Sequence, residues 1–200
     1  VPRFLHVGCG KKRKDQTVRP FAAPEWEEVT LDIDEGVKPD IVDKLPGLAK
    51  VESGSFDAVF SSHNVEHLYP HEVIPAFRAF HRVLKDDGIL IVTCPDLQSL
   101  GERLASGEIE SPLYQSPAGP VSPLDVLYGF RPSMAHGNLY MAHHTGYTVK
   151  SMRNVCAQAG FAGLLAVRRP KKHDLWVVVT KTPKTEEELK SLGKIYITPI

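Results

Sequence analysis

Two hundred residues, 42% hydrophobic and 24% charged, suit one globular domain with a sizeable core. Twenty-four basic and 24 acidic side chains cancel, so no global field draws the chain toward nucleic acid or an anionic membrane. The longest apolar runs, 89–92 and 176–179, are too short to span a bilayer, and Cys9, Cys94 and Cys156 are too few and odd in number for a disulfide framework, which points to a reduced, cytoplasmic protein.

No signal peptide precedes the first element; the chain opens directly on a strand, as one trimmed of an upstream segment would. That strand covers 3–7 and closes on His6-Val7-Gly8-Cys9-Gly10, and a second at 28–33 ends in Asp32-Ile33-Asp34. A strand, a Gly-x-Gly turn and an acid ending the next strand form the usual site for an adenosine-containing cofactor. Glycines let backbone approach the ligand, and the acid hydrogen-bonds a ribose diol. A dinucleotide would also need a third glycine and a helix N-terminus for its pyrophosphate. Here Arg13 takes the glycine's place, and 11–26, with Pro20 and Pro24, shows no helical stripe. A phosphate-free nucleoside such as S-adenosylmethionine tolerates both losses.

A brief third strand at 40–43 lies between Pro39 and Pro46, and a fourth occupies 55–61. Val73, Ala76, Phe77, Phe80, Val83 and Leu84 then recur at helical spacing, with Pro75 expected in the first turn and Asp86-Asp87-Gly88 ending the helix. The unbroken apolar run 89–94 reads as a strand buried on both faces. From 96 to 146 the pattern lapses into Pro, Gly, Ser, Tyr and His, with a short helix near 97–104; so long an irregular stretch suits a lid or binding loop. Thr148 caps a helix with the stripe Val149, Met152, Val155, Cys156 and Ala159, stopped by Gly160. Strands at 164–167 and 175–180 are joined by the basic link 168–172, short enough to favour an antiparallel pair. Thr185-Glu186-Glu187-Glu188 resembles a capping box for a short tail helix, and no internal repeat is present.

Four stretches, HVGCG at 6–10, LDID at 31–34, SFDAVFSSHNVEHL at 55–68 and FHRVLKDDGILIVTCPD at 80–96, make the chain resemble class I S-adenosylmethionine-dependent methyltransferases, nearest the type 11 group. The resemblance implies an α/β Rossmann-like fold: a seven-stranded, mostly parallel sheet in order 3-2-1-4-5-7-6, the last strand antiparallel, with helices on both faces. It implies a single domain over 1–182, with 97–146 as a lid and acceptor insert and 183–200 as a C-terminal tail. It implies S-adenosylmethionine as cofactor, with Val7, Gly8, Cys9 and Gly10 around its methionine and ribose. Asp32, followed by Ile33, matches the ribose-binding acid, Asp34 being the lesser candidate. Asp43 matches the adenine-binding position, with Lys44 and Leu45 lining the ring, and Ser61, Ser62 and His63 lie where the methyl is presented. Two departures stand out: the helix after the glycine loop is missing or irregular, and LKDDG replaces the commoner LKPGG.

Other residues invite rival readings. His63-Asn64-Val65-Glu66-His67 fits the inverted zinc-peptidase pattern H-x-x-E-H, but that needs a helix across 63–67 where a strand stops; the favoured reading has Glu66 and His67 brace the next helix, with no metal assigned. His71 reads as an exposed helix-start residue and His6 as a satisfied core or edge residue. The expected substrate pocket comprises His67, Tyr128, Arg131, Tyr140, His143, His144 and Tyr147, with a weaker claim for His136; His63 and His144 are the candidate proton acceptors. Lys11-Lys12-Arg13-Lys14 and the 168–172 link follow ends of strands four spacings apart in the family order, about 19 Å. That separation suits an anionic substrate such as RNA or a phosphorylated glycan, although no aromatic interleaving supports nucleic acid and solvated loops are the commoner outcome. The function expected is methyl transfer to an unidentified acceptor, small molecule, sugar or other, with no membrane partner. The alternative is a non-catalytic module that binds S-adenosylmethionine or S-adenosylhomocysteine.

Overall fold

A computed structural model describes residues 1–197. Strand β1 (Arg3–Val7) carries four successive buried side chains, Phe4 to Val7, that alternate between two faces. After the glycine turn come a 3-10 turn at Lys14–Gln16 and the four-residue helix α1 (Arg19–Ala22), in line with the irregular stretch read from the sequence. Strands β2 (Glu27–Asp32), β3 (Ile41–Val42) and β4 (Phe56–Ser62) follow, then helix α2 (Pro70–Val83) and strand β5 (Leu84–Pro95). The insert contains α3 (Leu97–Ala105), a hairpin of β6 (Tyr114–Ser116) and β7 (Gly119–Val121), α4 (Pro123–Tyr128) and α5 (Arg131–Ala135). The chain then returns through α6 (Val149–Gln158), β8 (Gly163–Arg169), β9 (Asp174–Thr180) and α7 (Glu186–Tyr196).

The main sheet runs β3-β2-β1-β4-β5-β9-β8. Counting its seven strands alone, that is the expected 3-2-1-4-5-7-6, and β9 is antiparallel to both neighbours. Leu5, Val7, Val59, Leu90, Val92, Val177 and Val179 face α2 and α6 on one side, against Phe77, Phe80, Met152 and Cys156. Alternate residues Phe4, Ala58, Phe60, Ile91, Trp176 and Val178 face the other side. That face is closed by α1 and α7 through their aromatics: Phe21 of α1 stacks on Phe4 at 4.2 Å, and Tyr196 of α7 meets Phe21 at 5.5 Å. Helix α7 therefore covers the sheet and does not trail from it.

Three expectations change. Helix α2 begins at Pro70, where the missing N–H costs nothing, and Glu72 accepts from the Tyr69 N–H at 3.0 Å. Pro75 thus lies in the second turn; the carbonyl it leaves unpaired, that of exposed His71, is open to water. Asp86-Asp87-Gly88 does not end the helix but bulges within β5, whose register against β4 jumps from Leu84 opposite Phe56 to Ile89 opposite Ala58. The insert is ordered, because Leu100, Val121 and Val126 are buried together with Leu97, Leu104, Leu113, Leu127 and Phe130 as a small core of its own. Among the described residues no helix is long and apolar enough to cross a membrane.

Candidate functional site

Parallel pairing of Val7 with Leu31 and Ser61 brings the ends of β1, β2 and β4 side by side. The glycine loop turns there on two left-handed residues, Gly8 at φ +70° and Gly10 at φ +52°. Their reasons differ. A Cβ on Gly8 would lie 2.5 Å from the Asn64 side chain, whereas among the described residues beyond its chain neighbours nothing lies within 4 Å of one on Gly10. Gly8 is dictated by packing; Gly10 presents an open backbone face that a ligand can approach. The side chains of Val7 and Cys9 are buried in the core, so this stretch offers backbone to the crevice. Burial, then the charge of Asp32, pushes the Cys9 thiol up to about 11, which keeps it neutral.

Asp32 accepts the Gly10 N–H at 2.7 Å through Oδ2 and the Asp34 N–H at 2.9 Å through Oδ1. Both bonds orient the carboxylate, and each oxygen keeps a lone pair for a diol. Asp34 spends its own carboxylate on the Gly36 N–H, at 2.8 Å, capping a 3-10 turn. Asp43 accepts the N–H groups of Lys44 and Lys50, both at 2.8 Å, and so shapes the loop that carries Leu45. Ile33 is 44% exposed on this edge, an apolar side chain only partly covered by protein. Open glycine backbone, an anchored carboxylate, a second acid and a partly covered isoleucine fit a nucleoside that carries no phosphate.

After β4, Ser61 Oγ accepts from Asn64 at 3.1 Å and Ser62 Oγ pairs with Thr93 Oγ1 at 2.8 Å, so both hydroxyls are engaged within the protein. His63 holds φ +48°, an uncommon conformation for a residue with a Cβ, while its N–H bonds to the Thr93 carbonyl at 2.9 Å. Its ring is half exposed, with Nδ1 3.3 Å from Glu66 Oε1 but out of line for a hydrogen bond. Glu66 is buried; burial favours a raised carboxyl, yet His63, then His67 and His143, outweigh it and hold the group below its ordinary range.

The seven pocket candidates separate. His67 and His143 meet edge to face at 4.8 Å beside Glu66. His144 turns outward and stacks on exposed Tyr69 at 4.1 Å. Tyr147 is buried, its hydroxyl donating to the Val65 carbonyl at 3.1 Å, which makes it a structural anchor. Tyr128 and Tyr140 are exposed, at 58% and 69%. Arg131 binds Asp125 at 2.8 Å at a separate cavity of about 430 Å³ within the insert, whose lining shares no residue with the glycine crevice.

Half of each basic cluster's charge is spent internally. Arg13 donates to the Gly10 and Val37 carbonyls at 3.2 Å, and Lys14 to those of Trp26 and Ala23 at 2.9 and 3.2 Å. These side chains tie down the loop where a helix would otherwise stand. Arg168 pairs with buried Asp96 at 2.7 Å and Arg169 with Asp174, leaving Lys11, Lys12, Lys171 and Lys172 toward solvent. His6 is satisfied in the core by Glu28 at 2.7 Å, as expected. Sequence reasoning missed Asn64 against Gly8 and the bracing by Arg13 and Lys14, because each is a contact set by tertiary approach. It had singled out Glu66 and His67, but not their meeting with His143.

Residues 5–92 match the family described as a methyltransferase domain. The sheet is shared with solved structures of low sequence identity. The CMeT domain of a citrinin polyketide synthase superposes with a TM-score of 0.58 at 12% identity, over 92% of this chain and 47% of that one, so the chain spans about half its length. A protein from Pyrococcus horikoshii OT3 gives 0.57 at 19% identity, covering 91% of this chain and 82% of that one. The 1,6-didemethyltoxoflavin-N1-methyltransferase of Burkholderia thailandensis, with bound 1,6-didemethyltoxoflavin and S-adenosylhomocysteine, gives 0.54 at 15% identity, covering 90% and 72%. No curated protein matches the sequence.

Proposed function

From the match of residues 5–92 to the methyltransferase domain family we propose that the chain is an S-adenosylmethionine-dependent methyltransferase whose acceptor is held beneath the 97–146 insert. The observation that carries the reading is the Asp32 carboxylate, fixed by the Gly10 N–H at 2.7 Å beside an open glycine face. The Burkholderia thailandensis neighbour, with S-adenosylhomocysteine bound on the same fold, supports it.

When bound, S-adenosylmethionine supplies a methyl group activated on a sulfonium. The chain's own residues have three tasks. Gly8 and Gly10 give close backbone contact while Asp32 accepts from the ribose hydroxyls; Asp43, Leu45 and Ile33 flank the adenine. The insert excludes water and holds the acceptor, since methyl displacement depends on alignment in a shielded site. Where the acceptor nucleophile carries a proton, His63 receives it, standing half exposed beyond β4 and backed by Glu66.

Calorimetry with S-adenosylmethionine and S-adenosylhomocysteine tests the pocket, and failure of both to bind overturns the proposal. The absence of a full helix after the glycine loop favours a second reading, a binding module without turnover. Binding without methyl release across small molecules, sugars and RNA would select that module.

A further inference from the structure

Glu66, His67 and His143 converge in a way that a nucleoside crevice does not require. One potential ligand atom of each lies within 4.8 Å of the other two. Glu66 is only 1% exposed, and among the described residues neither of its carboxylate oxygens has a hydrogen-bond partner of good geometry, the His63 Nδ1 lying 3.3 Å from Oε1. Both rings are oriented from outside the cluster. His67 Nδ1 bonds to the Ala142 carbonyl at 3.0 Å, and His143 Nδ1 to the Val126 carbonyl at 2.9 Å. A carbonyl oxygen only accepts, so each Nδ1 carries a proton, and each ring in its neutral form keeps a lone pair on Nε2. In that form a buried carboxylate and two imidazole acceptors share one space without a donor among them, an arrangement that a cation joining them would stabilise. Histidines that ligate metals characteristically donate their other ring N–H to a carbonyl or carboxylate.

We propose that Glu66, His67 and His143 bind a divalent transition-metal ion of the Zn²⁺ type. Two imidazoles and one carboxylate suit such a borderline ion, whereas Mg²⁺ and Ca²⁺ call for oxygen ligands throughout. Three protein ligands would leave a position open on such an ion, and half-exposed His63 lies 3.3 Å from Glu66 Oε1. The ligand set differs from the inverted zinc-peptidase pattern: residues Val65–His67 form a 3-10 turn, Glu66 acts as a ligand and not a base, and the third ligand comes from the end of the insert. That segment is held in register without metal, because the N–H groups of His144 and Thr145 both reach the Glu66 carbonyl, at 2.9 and 3.1 Å. The proposal does not depend on the methyl-transfer reading, since metal binding is measured without donor or acceptor.

The test uses the full chain, free of any histidine tag, stripped by chelator dialysis and titrated with Zn²⁺, Co²⁺ and Mg²⁺. One equivalent of Zn²⁺ is expected, one of Co²⁺ with a visible d–d spectrum, and no stoichiometric Mg²⁺. Glu66→Gln and His143→Ala should each weaken Zn²⁺ binding by at least about 100-fold, the upper end of what losing even an outer-shell partner does, and should erase the Co²⁺ spectrum. His136→Ala, at an exposed imidazole on α5's end, should leave both unchanged. Circular dichroism checks each fold, and His67→Ala replaces any variant that does not fold. Lack of stoichiometric Zn²⁺ and Co²⁺ binding, or binding that survives the ligand substitutions, overturns the proposal.

Discussion

Asp32→Ala removes the carboxylate that accepts the Gly10 N–H at 2.7 Å and the Asp34 N–H at 2.9 Å. Stability and binding should respond by different amounts. Both N–H groups lie near solvent and can take water instead, so folding should lose about 1 kcal/mol per bond. A ribose diol on the same carboxylate makes two charge-assisted hydrogen bonds, each worth roughly 1.5–3 kcal/mol. Taking the lower value twice gives about 3 kcal/mol, or a Kd roughly 100-fold higher. Asp34→Ala is the matched control, because the variant keeps the backbone N–H that holds Asp32 and loses only a cap on the Gly36 N–H. It should cost about 0.5–1 kcal/mol of stability and shift Kd by less than about threefold. Titration calorimetry with S-adenosylhomocysteine, alongside thermal melts, reads both quantities. If Asp34→Ala weakens binding as much as Asp32→Ala, the wrong acid has been assigned. If Asp32→Ala leaves Kd unchanged, no diol rests on it.

The two glycines should separate in the same assays. Alanine at either position pays for a left-handed backbone, about 1–2 kcal/mol, but only Gly8→Ala also strikes Asn64, at 2.5 Å. Gly8→Ala should therefore show the larger fall in melting temperature, and Gly10→Ala a loss of cofactor binding out of proportion to its fall. Within the insert, burial raises the Asp125 carboxyl, but Arg131 and Ser122 outweigh it and bring it down to about 2. A group lowered on folding stabilises above its ordinary value near 3.8 and loses that contribution as pH falls toward 2. With Arg131 partly in solvent, the contribution is no more than about 2 kcal/mol. Melts between pH 5 and pH 2 should thus fall more steeply for the natural chain than for Asp125→Asn; parallel curves would show that the pair adds nothing. Leu100→Ala, at a fully buried side chain of the insert's own core, should cost about 2–5 kcal/mol locally. Proteolysis should then cut the insert first while S-adenosylhomocysteine still binds; equal loss of both would make the insert and the sheet one cooperative unit.

Much of the scaffold is legible because its signals are local. Short apolar stretches ended by glycine or by polar residues predict β1 to the residue and β4 to within one residue at each end. Side-chain caps at Thr148 and Thr185 mark the starts of α6 and α7, as their hydroxyls accept from Ser151 and Glu188. Proline misleads when read alone: Pro75 looks like a helix start, but Pro70 takes that place and the exposed turn absorbs the defect. The insert reads as irregular because its elements are too short to show a period, and only their mutual packing orders them.

At the candidate site the division is sharper. Sequence alone determined the Gly-x-Gly turn and the acid at the end of β2, because each follows from residue type and spacing along one chain segment; the strand order was legible only through the family resemblance that the motifs carry. Tertiary structure alone decided that Gly10 and not Gly8 faces open space, that His143 and not its neighbour His144 turns toward Glu66, and that α7 closes a face of the sheet. The physical reason is common to all three. Which residue faces a crevice, and which element covers a face, depends on contacts with segments distant in sequence, such as the hydrogen bonds from His143 to Val126 and from His144 to Glu66.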